Sequence, residues 1–255
     1  MATKNVNINS VVILLVAIGL LGYALLAQAG DLEPPGAPGS TMKTLDEVEP
    51  RIPISQSDIP LTINESGSYY FTEDINSADT AITVAADDVT IDLAGFTLAG
   101  PDSGTNYGIY MSGRSNVEIR NGTVHGFHYG IGEDSSLGQG HRVIDVRALS
   151  NGATGIYLKS KNNLVKDCTA RNNGYSAAYD VYGIYAGSGS TVTGNTACDN
   201  GDWADDDVYG IYLGGDNLVD QNTASNNGAG AGSATDMTLS GYGCVYGINV
   251  PNVAP

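Results

Sequence analysis

The hexapeptide DVYGIY stands at residues 180–185 and again, letter for letter, at 207–212, 27 residues later. It is the clearest instance of a wider beat. Gly-Ile recurs at Gly108-Ile109, Gly130-Ile131, Gly155-Ile156, Gly183-Ile184, Gly210-Ile211 and Gly247-Ile248, in steps of 22, 25, 28, 27 and 37 residues. A second phrase keeps time with it: DVRALSNG (145–152), DCTARNNG (167–174), GNTACDNG (194–201) and QNTASNNG (221–228) align without gaps, and each ends in Asn-Gly. A repeat of this length is one supersecondary unit that cannot bury its apolar face alone and must stack on its neighbours. Two short strands per period, with turns between them, describe one coil of a solenoid.

Leucine-rich repeats would show an L-x-x-L-x-L-x-x-N framework and helical solenoids a 3.6-residue period, and the chain has neither. Short, Asn/Gly-punctuated strands of variable spacing suit an all-β, single-stranded parallel β-helix of about six coils, stacked about 4.8 Å apart. The variation falls at one corner, between Asn-Gly and Gly-Ile, where Ala148 to Gly155 spans 7 residues, Ala170 to Gly183 and Ala197 to Gly210 span 13, and Ala224 to Gly247 spans 23.

Alternate residues of a strand share a face. The pairs Ile109/Met111, Ile156/Leu158, Ile184/Ala186, Ile211/Leu213 and Ile248/Val250 are therefore expected inside. Between them Tyr110, Tyr157, Tyr185 and Tyr212 point outward, with Gly132 interrupting the column and Asn249 ending it. In the other strand Val146, Cys168, Asn195 and Asn222 share an inward position. Asn195 and Asn222 should then stack as a ladder of amides, because a buried amide without hydrogen bonds is costly. The Asn-Gly turns belong to the corners, where glycine permits positive φ.

The entry stretch GSYYFTEDI and AITVAADDVTIDLAGFTLAG, followed by GIY and NNLVKDCTARNNG coils, resembles the secreted right-handed parallel β-helix repeat proteins of the pectate-lyase-like superfamily and their NosD-like relatives. The likeness covers roughly residues 60–250. It implies a right-handed coil but no single reaction, because that superfamily holds lyases, hydrolases, epimerases and tailspikes. Its hydrolases use clustered carboxylates as acid and base; its lyases and epimerases neutralise a uronate with calcium or a basic side chain. The polygalacturonase-like motif set is absent as a set. Val124-His125-Gly126 matches a fragment of it and makes His125 a candidate base, while His128 and His141 read as turn or surface residues. Arg114, Arg120, Arg142, Arg147 and Arg171 are the cations available to a uronate.

The densest candidate chemistry is the loop Gly201-Asp202-Trp203-Ala204-Asp205-Asp206-Asp207, which holds the chain's one tryptophan and leads into the second DVYGIY. Asp180 has the same place one coil earlier. Stacked loops would gather Asp180, Asp205, Asp206 and Asp207, either as a catalytic acid and base or as ligands of Ca²⁺, a hard cation that takes six to eight oxygens. Tyr110, Tyr157, Tyr185, Tyr212 and Trp203 would offer aromatic faces to sugar rings.

Lys and Arg number 11 against 28 Asp and Glu, a net charge of −17, which argues against a nucleic-acid surface. Lys4, an apolar run over 11–26 and Ala27-Gln28-Ala29 have the layout of an export signal. Residues 1–29 read as that signal, 30–59 as a Pro/Gly-rich linker and N-terminal cap, and 60–255 as the β-helix. Retention of the run as a membrane anchor is the alternative. A secreted, periplasmic or cell-surface protein follows, with no membrane association once the signal is cleaved. Three cysteines, Cys168, Cys198 and Cys244, cannot all pair within one chain. The expected function is to bind or process an extracellular polysaccharide. The alternative is a structural subunit whose open parallel edge pairs with further copies into an oligomer or filament.

Overall fold

The computed structural model describes residues 50–175, 180–201, 207–228, 233–239, 245–246 and 250–251. Every strand pairing in it is parallel, and the strands form two sheets. Sheet B holds eight strands in chain order: Leu61–Ile63, Ile82–Val84, Tyr107–Tyr110, Tyr129–Gly132, Thr154–Leu158, Val181–Ala186, Val208–Leu213 and Ala234–Leu239. Sheet A carries the return strokes and holds fifteen strands. Glu118–His125 and Arg142–Leu149 run through it unbroken, whereas later coils split the stroke at a corner, as in Leu164–Lys166 and Thr169–Arg171. A coil thus has three strand segments rather than the two read from the sequence. The cap region contributes Ile52–Ile54, which pairs with Gly67–Phe71, and a short 3-10 turn at Gln56–Asp58. Among the described residues no helix is long and apolar enough to cross a membrane. Residues 11–26 and the proposed signal lie outside the described residues.

The expected inward residues line the bore. Ile109, Ile131, Ile156, Ile184 and Ile211 are in register across sheet B and fully buried, as are Met111, Leu158, Ala186 and Leu213. The last coil differs from the sequence reading. In register with Ile211 is Met237, not Ile248, and the strand Ala234–Leu239 occupies the place assigned to Gly247-Ile248. Val250, expected inside beside Ile248, instead pairs with Thr223 in sheet A. Gly247, Ile248 and Asn249 lie outside the described residues. The long corner of 23 residues therefore shrinks to 12, from Ala224 to Asp236.

Buried amides hold the corners. Asn195 Nδ2 donates to Asn222 Oδ1 at 2.9 Å and to the Val165 carbonyl at 2.9 Å, and Asn195 Oδ1 accepts from the Cys168 N–H at 2.9 Å. A longer column is made by the asparagines of Asn-Gly itself. Asn151, Asn173, Asn200 and Asn227 pass Nδ2–H to the next Oδ1 at 2.9, 2.9 and 2.7 Å, and Asn227 ends on the carboxylate of Asp236 at 2.9 Å. Each Oδ1 also accepts a backbone N–H from the coil before, Asn151 from Phe127 at 3.2 Å and the others from the preceding asparagine, as Asn200 does from Asn173 at 3.1 Å. The turn residues beside them, Gly174, Gly201 and Gly228, have φ of 90°, 77° and 74°, a region open to glycine at no steric cost. A third corner runs His141, Asn163, Ser190 and Asn217, each accepting a backbone N–H from the coil before.

The column explains the Gly-Ile phrase. A Cβ on Gly183 would stand 2.5 Å from the Gly210 carbonyl and 2.7 Å from Asn200 Nδ2, and one on Gly210 would stand 2.4 Å from Asn227 Nδ2. Glycine leaves room for the amides packed against it.

Candidate functional site

At Gly183 the in-out alternation slips by one residue: Gly183 and Ile184 are both buried, so Tyr182 and Tyr185 both face out. The same slip in each coil builds two outward columns on sheet B. One runs Thr80, Tyr107, Tyr129, Thr154, Tyr182, Tyr209, Thr235, with Thr154 itself buried, and the other Thr83, Tyr110, Gly132, Tyr157, Tyr185, Tyr212, Thr238. The sequence reading placed Tyr110, Tyr157, Tyr185 and Tyr212, and missed Tyr107, Tyr129, Tyr182 and Tyr209. Tyr107, Tyr182 and Tyr209 were visible as tyrosines three before an outward one, and Tyr129 as the tyrosine three before Gly132.

The eight rings form one continuous contact network. Tyr107 stacks on Tyr129 at 4.8 Å, Tyr182 on Tyr209 at 5.3 Å and Tyr185 on Tyr212 at 5.1 Å, with planes within 14°. Tilted contacts Tyr129–Tyr157 at 5.9 Å and Tyr157–Tyr182 at 5.8 Å bridge the gaps left by Thr154 and Gly132. Gly132 is where the tyrosine column is interrupted as expected, and a Cβ there would stand 3.0 Å from the Tyr107 ring. Stacked rings spend their faces on each other. At both ends of the array threonines replace tyrosines in register: Thr80/Thr83 beside Tyr107/Tyr110, and Thr235/Thr238 beside Tyr209/Tyr212. At the first step lies a cleft of about 380 Å³, lined by Thr80, Thr83, Thr105, Asn106, Tyr107, Tyr110 and Asp134.

Asp180 and Asp207 stand directly before strands in register, as the sequence implied, and the Val181 N–H donates to the Asp207 carbonyl at 2.9 Å. Each carboxylate accepts a phenol: Tyr182 to Asp180 at 3.1 Å and Tyr209 to Asp207 at 3.2 Å. Asp205, Asp206 and Trp203 lie outside the described residues. Among the described residues no group of three or more His, Cys, Asp or Glu side chains is gathered as for a metal. His125 is half-buried on sheet A, in register with Ala99 and Leu149. It leads into Tyr129–Gly132, so along the axis the two aspartates lie two and three coils on, about 10 and 14 Å away. His128 is edge-on to Tyr129 at 4.8 Å, and burial lowers its pKa. His141, read as a turn or surface histidine, is fully buried, with Nε2 3.4 Å from Oε2 of the equally buried Glu133. The cations assigned to a uronate are engaged elsewhere. Arg120 and Arg142 meet Glu118, Arg171 meets Asp199 and Arg147 meets Thr123 on sheet A, and Arg114 donates to the Ala85 carbonyl. Cys168 is a buried thiol raised to about 12 by burial, and Cys198 is half-buried; both are free, and Cys244 lies outside the described residues.

A model of the right-handed beta helix region matches residues 80–250. The chain belongs to the right-handed β-helix family. Among solved structures, the A-module of the mannuronan C-5 epimerase AlgE4 of Azotobacter vinelandii is similar in fold, with a TM-score of 0.54 and 15% identity over 78% of this chain and 66% of the module. The similarity thus spans just under two thirds of that module. A comparison with curated proteins finds no match to the sequence. Like that module, this member of the family is a right-handed parallel β-solenoid, and its most distinctive surface is the tyrosine face.

Burial pushes the Tyr157 phenol up to about 12, with neighbouring Tyr185 adding to the shift, and raises Tyr107 and Tyr182 as well. An unfolded tyrosine ionises near 10. A phenol whose folded pKa lies above its unfolded value contributes stability that is fully present below about pH 10 and is lost as pH rises toward the folded value. The melting temperature should therefore hold steady up to about pH 10 and fall between pH 10 and 12. The tyrosinate absorbance of Tyr107, Tyr157 and Tyr182 should appear only as the fold is lost. Ionisation of all 15 tyrosines near pH 10 in a fully folded chain would contradict this account of the array.

Proposed function

We propose that the protein binds an extracellular polysaccharide along the outer face of sheet B. The observation that carries the reading is the eight-tyrosine array with a cleft at its Thr80/Thr83 step. Aromatic rings give large apolar contact area at little entropic cost, and their hydroxyls supply hydrogen bonds at the rim. Successive coils repeat about every 4.8 Å, close to the length of one pyranose residue, so a glycan laid along the axis meets similar groups residue after residue. Asp180 and Asp207 border the array and would accept hydrogen bonds from sugar hydroxyls. The similar epimerase module is named for action on mannuronan, which makes a glycan partner plausible for this chain without assigning it a reaction.

Electrophoresis of the full-length protein through gels containing soluble polysaccharides tests the reading. At least one polysaccharide should retard it, and Tyr209→Ala with Tyr212→Ala should weaken the retardation roughly tenfold with little change in the far-ultraviolet spectrum. Unretarded migration across a broad panel, with calcium and with chelator, would overturn the proposal. Retardation that requires calcium and is lost in Asp180→Asn with Asp207→Asn would assign a cation to those two carboxylates.

A further inference from the structure

We infer that the cleft at the Thr80/Thr83 step is a subsite for one neutral sugar residue and discriminates against uronates. The inference rests on the polysaccharide reading above and narrows it to a substrate class. Thr80 and Thr83 are short where the next coil carries Tyr107 and Tyr110, and both rings line the cleft that results. The Tyr107 N–H donates to Thr80 Oγ1 at 3.1 Å, which fixes the floor. The lining is hydroxyls of Thr80, Thr83 and Thr105, the amide of Asn106, two phenols and one carboxylate. That set matches a pyranose: rings for its C–H face, and donors and acceptors for its hydroxyls.

Charge decides the class. The lining carries one formal charge, that of Asp134. Ser112 donates to Asp134 Oδ1, and this contact, with Tyr110 adding a smaller one, holds its carboxyl below the usual range, so it stays ionised. An ionised carboxylate accepts sugar hydroxyls and repels a sugar carboxylate. Lys159 Nζ bonds the Asp134 main-chain carbonyl at 3.4 Å and lies outside the lining; Arg114 is held on Ala85. Farther along the face stand Asp180 and Asp207, and the whole chain carries −17, a field that slows the approach of any polyanion. Lys159 offsets part of the Asp134 charge from outside the lining, while Arg51, Arg120, Arg142 and Arg171 are paired with Asp92, Glu118 and Asp199.

Calorimetric titration of the full-length protein with neutral hexasaccharides of the gluco, manno and xylo series, and with oligomannuronate of the same length, tests the inference. A neutral hexasaccharide should bind at least tenfold tighter than oligomannuronate at low salt. Thr83→Tyr, which extends the tyrosine column into the cleft, should abolish that binding while leaving the melting temperature unchanged or higher. Asp134→Asn should narrow the preference roughly fivefold, the weight of one like-charge contact in water. Oligomannuronate binding as well as or better than the neutral sugars overturns the neutral class and leaves the polysaccharide reading standing. Neutral binding that survives Thr83→Tyr in a folded chain overturns the cleft as the subsite, again without touching that reading. Absence of binding to every sugar of both kinds overturns the polysaccharide reading itself.

Discussion

An Asn200→Ala chain should lose about 3–5 kcal/mol of stability, the sum of several buried polar groups left unsatisfied at roughly 1–3 kcal/mol each. Asn200 is fully buried and makes four side-chain bonds. Its Oδ1 accepts from the Asn173 N–H at 3.1 Å and from Asn173 Nδ2 at 2.9 Å, and its Nδ2 donates to the Ala170 carbonyl at 3.1 Å and Asn227 Oδ1 at 2.7 Å. Removing the amide orphans two donors and one acceptor on the coil before it and one acceptor on the coil after it. Asn200→Asp should do as badly as alanine, because a carboxylate cannot donate onward to Asn227. Asp236→Asn should cost far less, since that position only accepts, from Asn227 N at 3.1 Å and Nδ2 at 2.9 Å. Denaturant melts of the three variants check the pattern; equal losses for Asn200→Asp and Asp236→Asn would refute a directional ladder.

Glu133→Ala is expected to cost a similar amount, about 2–5 kcal/mol, because it leaves two buried donors facing no acceptor at roughly 1–3 kcal/mol each. Glu133 and His141 are both fully buried. Glu133 Oε1 accepts the Ser160 N–H at 2.5 Å, and Oε2 faces His141 Nε2 at 3.4 Å, an ion-pair distance at which neither atom has a hydrogen-bond partner. His141 Nδ1 accepts from the Val117 N–H at 3.3 Å, which leaves Nε2 to carry the ring proton toward Glu133. Truncating Glu133 strands that proton and the Ser160 N–H in the core. Glu133→Gln keeps an acceptor for Ser160 and should cost less than half as much. A Glu133→Ala chain as stable as the parent in a denaturant melt would show that the pair does not hold its corner.

The coil, its apolar bore and the Asn195–Asn222 ladder were legible because each recurs at a fixed step in the sequence. The last coil was not. Asp236 replaces the glycine that marks the phrase elsewhere, and Thr235 and Met237 replace its tyrosine and isoleucine, while a stray Gly247-Ile248 invited the wrong alignment. The second tyrosine column was hidden for a physical reason: strict alternation places Tyr182 inside, and only the slip at Gly183, forced by Asn200 packed against it, turns the ring out. The cleft escaped notice because it is made by small residues. Thr80 and Thr83 carry no chemical signature in a sequence, and matter only because the rings of the next coil end beside them.

Asp236 has one more consequence. The side-chain amides of Asn151, Asn173, Asn200 and Asn227 all point the same way, N–H toward the later coil. Their dipoles add along the axis as peptide dipoles add in an α-helix, with the positive pole at the late end. At that pole sits a carboxylate. The column is thus a polarised rod with its counter-charge built in, the side-chain analogue of an acidic residue at a helix N-terminus.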